Sequence, residues 1–162
     1  MRDYQKYAAI VAVFAAVLYA ALIVAAFGLI SLVTNLDVIS APDAGPLLGP
    51  SMAAAAALVV FVLMLLLGLR TRPENQRIAV GDSLGTGFAA FASFVLVGAI
   101  LFALNSGLPA DGIAFAGSLI LGPFAATVGI LGFIVTLLYS MVLASRMPER
   151  GRPLWPWERR DD

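Results

Sequence analysis

One string in this chain has the letters of a reactive motif: Gly81-Asp82-Ser83-Leu84, the order that opens the nucleophile block of a class of serine esterases. A serine hydroxyl is a weak nucleophile until a positioned base takes its proton, and in that chemistry the base is a histidine. The chain contains no histidine, so the relay cannot be built. Asp82 or Ser83 is predicted instead to cap a helix. A side-chain oxygen there accepts from the first free N–H groups, and a carboxylate suits the positive end of the helix dipole. The glycines between Gly81 and Gly87 lack the Gly-Lys-Ser/Thr that a phosphate loop requires. Cysteine is also absent, which removes disulfides and, together with the missing histidine, most zinc and haem ligation. Asp37 and Asp43 are too few for a divalent-cation site and are expected to face water. No cofactor and no enzymatic activity are expected.

The elements that hold these residues follow from composition. Of 162 residues, 61% are apolar and 12% charged, and the mean hydropathy is +0.96. A soluble domain is about 45–50% apolar and about 25% charged. A water-soluble fold is therefore excluded, and so is a disordered chain, which needs low hydrophobicity and high charge. A bilayer core about 30 Å thick takes roughly 20 apolar residues in a helix rising 1.5 Å each. Four stretches qualify, at about 7–33, 51–69, 84–104 and 115–145. None alternates with the period of a barrel strand, and each is far longer than the about 10 residues such a strand needs. The predicted fold is all-α, an antiparallel bundle of four transmembrane helices in a single membrane domain. The first stretch exceeds the 7–15 apolar residues of a secretory signal and is read as a retained helix.

The connections separate by charge. All ten basic residues fall before the first span (Arg2, Lys6), between the second and third (Arg70, Arg72, Arg77), or after the fourth (Arg146, Arg150, Arg152, Arg159, Arg160). The loops 34–50 and 105–114 hold only Asp37, Asp43 and Asp111. Basic residues stay on the cytoplasmic side. The loop 70–83, the tail 146–162 and the N-terminus are thus expected in the cytoplasm of a bacterial plasma membrane, and the other two loops outside.

The four spans contain no charged residue. Proton-coupled carriers, pumps and voltage sensors use ionisable groups within the bilayer, so none of these is expected. A small dimeric multidrug exporter would carry a glutamate in its first helix, and an intramembrane serine protease a histidine or lysine beside its nucleophile. Neutral polar residues remain: Tyr19, Ser31, Ser93, Ser118, Thr127, Thr136, Tyr139 and Ser140. Small residues recur every four positions, as in Ala12-Ala16-Ala20, Gly85-Ala89-Ser93, Ser118-Gly122 and Ala125-Gly129. Such stripes let helix backbones approach closely. The fourth span carries Gly122-Pro123. Proline offers no N–H to the carbonyl of Leu119 and its ring crowds that carbonyl, so a kink or break is predicted. Thr127 lies one turn beyond.

The only tryptophans, Trp155 and Trp157, stand in the tail with Arg159 and Arg160. Indoles favour the headgroup layer and arginines attract anionic lipid. These four residues are expected to anchor the tail at the membrane surface, and a docking peptide for a cytoplasmic partner is the rival reading. The Ala/Val/Leu-rich spans, nine arginines to one lysine, and the Arg-Pro-Leu-Trp-Pro-Trp-Glu string resemble a family of small, uncharacterised four-helix membrane proteins of high-GC Gram-positive (actinobacterial) bacteria. The resemblance implies a compartment and no mechanism. Expected partners are membrane lipids, with another membrane protein or a second copy of the chain, and no nucleic acid. The expected role is a non-enzymatic accessory or scaffold subunit. The alternative is a homo-oligomeric transporter or channel for a neutral or lipidic solute.

Overall fold

In a computed structural model of the protein, residues 2–39, 45–70 and 79–145 are described. They form five helices, α1 (Arg2–Thr34), α2 (Leu48–Arg70), α3 (Val80–Ser106), α4 (Pro109–Leu121) and α5 (Pro123–Ser145), and no strand occurs among the described residues. The protein is all-α. Four helices are long and apolar enough to cross a membrane, and α4 is the exception. At 13 residues and 1.5 Å per residue, α4 is about 20 Å long and too short for a core of about 30 Å.

The outer surface explains the composition. Phe14 is 71% exposed and Leu32 77%, and exposed Leu58, Val62, Phe88, Leu96 and Ile130 continue this surface around the molecule. A monomer in water rarely exposes a contiguous apolar patch beyond a few hundred Å². Helices this apolar on every side are those of a membrane protein.

Inside, α1 lies between α2 and α5, and α3 lies between the same two helices on the opposite side. α4 covers α3 and only touches α5. The buried row of α2, Leu48, Met52, Ala56, Val60, Met64 and Gly68, repeats strictly every four residues. Four residues turn a helix by about 400°, so this row winds along the i±4 ridge and meets successive neighbours. A methyl group on Gly98 would sit 2.7 Å from the end of Met52, and one on Gly132 would sit 3.6 Å from Val60. The row therefore faces α3 at one end and α5 further along. Phe27 of α1 joins the upper layer, edge-on to Phe94 of α3 at 5.8 Å and to Phe124 of α5 at 5.3 Å, a favoured aromatic geometry.

Two boundaries differ from the sequence reading. Segment 105–114 is mostly helix: α3 runs to Ser106, and Gly107 in the left-handed region (φ 75°) ends it with an N–H bond to the Ala103 carbonyl. Leu108 then leads into Pro109 at the first position of α4. Glycine after a helix and proline at the start of the next are the residues those positions favour. The stretch 115–145, read as one span, is divided between α4 and α5.

The cap of α3 is also corrected. Ala79, not Asp82 or Ser83, occupies the N-cap, and no side chain caps that end. Ser83 is fully buried within the first turn, and its hydroxyl donates to the Ala79 carbonyl at 2.8 Å. Thr86 donates to the Asp82 carbonyl in the same way at 2.8 Å. A buried hydroxyl on a helix satisfies itself on the carbonyl one turn back, and that requires the helix to have begun earlier.

Candidate functional site

The break between α4 and α5 interrupts the helical backbone at Gly122. Gly122 is extended, with φ −85° and ψ 156°, and its N–H bonds the Leu119 carbonyl at 3.1 Å. The acceptor that Pro123 cannot serve is therefore taken by the residue before it. Ser118 donates to the Phe115 carbonyl at 2.7 Å and Thr127 to the Pro123 carbonyl at 2.7 Å. Both hydroxyls close on their own helices. Gly122 and Thr127 are half-buried and Pro123 is exposed. Leu121, beside them, is 90% exposed. The break faces outward, away from the bundle axis.

Residues 36–39, just past the end of α1, face this break across a cleft of about 390 Å³. Val38, Ile39, Phe115, Leu119 and Phe124 give it apolar walls, and Asp37 is the one charged residue among its described lining residues. α4 is fixed beside the cleft by Phe115, which stacks on Phe102 of α3 at 4.6 Å and 15°. It is also fixed by Gly112, where a methyl group would sit 2.6 Å from the Ala99 carbonyl oxygen. Among the described residues no three His, Cys, Asp or Glu side chains gather at one point.

A second group of polar residues lies toward the other end of the bundle; Ser83, Thr136 and Ser140 were named from sequence, but Thr86 was not. Among the described residues, Ser83, Thr86, Thr136 and Ser140 are the buried serines and threonines. They lie on α3 and α5, which approach closely where a methyl group on Gly87 would sit 2.6 Å from the Gly129 carbonyl oxygen and 3.0 Å from the Phe133 Cβ. Ser140 donates to the Leu137 carbonyl at 2.8 Å. Thr136 is fully buried and its hydroxyl has no partner. Tyr139, the residue before Ser140, reaches out of α5 to the Ala8 carbonyl of α1 at 3.2 Å. Tyr19 of α1 reaches in the opposite sense to the Val128 carbonyl at 2.9 Å. The two tyrosine hydroxyls hold helices together, and the serine hydroxyls and Thr86 close on their own helices.

The small-residue stripes are distributed differently from the sequence reading. Gly85 is exposed with open space around it, while the contact face of α3 runs through Ser83, Gly87, Ala90, Phe94 and Gly98. Ala12 is buried, Ala16 half-buried and Ala20 exposed. Each four-residue step rotates the stripe about 40° off the contact, so a straight neighbour loses it within three steps. Ala125 is buried, and Gly129 meets Phe91 and Gly87. Trp155, Trp157, Arg159 and Arg160, predicted as an interfacial anchor, lie outside the described residues.

No curated protein and no solved structure matches the chain. A family model does match, over residues 1–162. The chain, with its apolar helices and its outward-facing break, belongs to DUF6121, a family of unknown function.

Proposed function

We propose that this membrane protein is a non-enzymatic accessory or scaffold subunit of a bacterial plasma-membrane assembly, and that α4 with the adjoining break is where it meets its partner. One contrast carries the reading. Along the bundle axis Ala12, Met52, Ala56, Val60, Ala90 and Val128 are fully buried, so side chains fill the space that a solute would need. The features that depart from a plain bundle, a short helix and a broken backbone ending in exposed Leu121, lie on the outside. Small or exposed helix surfaces of this kind associate in lipid by packing and not by expulsion of water.

The charge distribution supports an orientation with both termini and the α2–α3 connection in the cytoplasm. Lys6 and Arg70 sit at the end of the bundle where α1 begins and α2 finishes, and Asp37 and Asp111 sit at the other end. That is the asymmetry of the positive-inside rule. A reporter fused after Asp162 is expected to be active only in the cytoplasm, and activity of a periplasmic reporter at that point reverses the orientation.

Native mass spectrometry of the protein extracted in mild detergent from its own membrane tests the role. A complex with another gene product is the expected result. A homo-oligomer with no other protein favours the transporter reading. In that reading, copies of the chain would have to build a path outside each packed bundle.

A further inference from the structure

We infer that the cleft between residues 36–39 and the α4–α5 break binds a phospholipid whose headgroup carries a primary amine. The inference concerns a lipid and stands whether or not a protein partner docks on α4. The cleft begins where the apolar span Tyr4–Thr34 has just ended, which sets Asp37 at the depth of lipid headgroups. Its lower walls are Leu119 and Phe124. Exposed Ile120 and Leu121 extend the apolar surface from there toward the hydrocarbon. A cleft of about 390 Å³ has room for a headgroup and the first methylenes of its chains.

Charge complementarity selects the amine. Asp37 is exposed, and the described side chains Lys6 and Arg70 that could neutralise it are at the far end of the bundle. An ammonium group in the cleft would supply the missing cation. The phosphate of the same headgroup would lie toward the start of α5. Pro123 opens that helix, and of its first amides, which have no intrahelical acceptor, that of Phe124 belongs to a residue lining the cleft. Gly122 has no side chain to cover it. Amide groups at a helix start favour a phosphate, so the cleft offers an anionic and a cation-like pole in the order that a zwitterionic amine headgroup requires.

The test uses the full-length protein in mild detergent. It is titrated with equimolar dioleoyl phosphatidylethanolamine and dioleoyl phosphatidylglycerol and followed by native mass spectrometry. The ethanolamine lipid is expected to be retained about 2- to 5-fold more than the glycerol lipid, the range for an exposed ion pair. Asp37→Asn should abolish this preference while leaving total lipid retention and the melting temperature unchanged. Ser118→Phe, which fills the cleft from an exposed position, should lower retention of both lipids. Equal retention by the unaltered protein, or a preference that survives Asp37→Asn, overturns the proposal. Binding of water-soluble phosphoethanolamine as strongly as the lipid overturns the assignment to a lipid.

Discussion

Tyr19 and Tyr139 tie α1 to α5 by the same bond made in opposite directions. The Tyr19 hydroxyl donates to Val128 at 2.9 Å and the Tyr139 hydroxyl to Ala8 at 3.2 Å, both buried. Eleven residues separate donor from acceptor position on each helix, close to three full turns. The two bonds therefore lie on one face of each helix, about 16 Å apart, and they fix the antiparallel register. In lipid, where apolar surface gives no preference for one neighbour over another, such bonds choose the pairing.

Tyr19→Phe and Tyr139→Phe should each lower stability by about 0.5–1.5 kcal/mol. The cost is modest because both acceptor carbonyls keep their own helical N–H. The two sites are far enough apart for their effects to add in the double variant. Unfolding midpoints in mixed micelles measure all three. A double variant much worse than the sum would mean that the bonds act as one unit.

Gly68 is a glycine because Tyr139 occupies the space its side chain would fill. A methyl group there would fall on the Tyr139 hydroxyl and lie 3.1 Å from the Ala8 Cβ. Gly68→Ala should cost about 1–3 kcal/mol through overpacking and the displaced hydroxyl. In a Tyr139→Phe background the cost should shrink, because the atom in conflict is gone. An undiminished cost in the double-mutant cycle would place the conflict at Ala8 instead.

Two neighbouring glycines of α3 should behave in opposite ways. Gly87→Ala drives a methyl against the Gly129 carbonyl and the backbone nitrogen of Phe133 at 3.1 Å. It should destabilise by about 1–3 kcal/mol. Gly85 has nothing within 4 Å, and Gly85→Ala should stabilise by up to about 1 kcal/mol through helix propensity alone. Thermal unfolding in one detergent compares them directly. Similar losses for both would show that Gly85 is covered in the membrane.

The contrast between Gly85 and Gly87 shows what could be read from the letters. Length and apolarity determined the all-α class and the crossing helices, since the bilayer imposes both. Pro123 marked the place where the backbone departs from a helix, because its missing N–H is a property of the residue itself. Facing was not legible. In a soluble helix, polar residues mark the outer side. Here lipid makes the outer side as apolar as the inner, and every small residue looks like a contact. The buried face through Ser83, Gly87 and Ala90 became visible only once α5 was in place against it. The start of α4 was read as part of the outer loop 105–114, which holds Asp111, whereas a carboxylate in the first turn of a helix is favourable. The reach of Tyr139 to Ala8 spans 131 positions and leaves no local signature.

Pro123→Ala, on the sequence argument, should straighten the break by restoring an N–H for Leu119. The structure gives a different expectation. The Leu119 carbonyl is already bonded by Gly122, so the new donor gains little. α4 is held at its own angle by the Phe102–Phe115 stack and by Gly112 against Ala99. The break should persist in the single variant. Spin labels at exposed Ile113 and Ile134 report on this. On one continuous helix they would be about 32 Å apart along the axis, and the bend should keep them closer, at the same distance with and without Pro123. Gly122→Ala together with Pro123→Ala also removes the residue that most readily leaves the helix, and this pair is the variant expected to lengthen the distance. A single variant already at full helical separation would mean that the proline ring, and not the packing of α4, maintains the break.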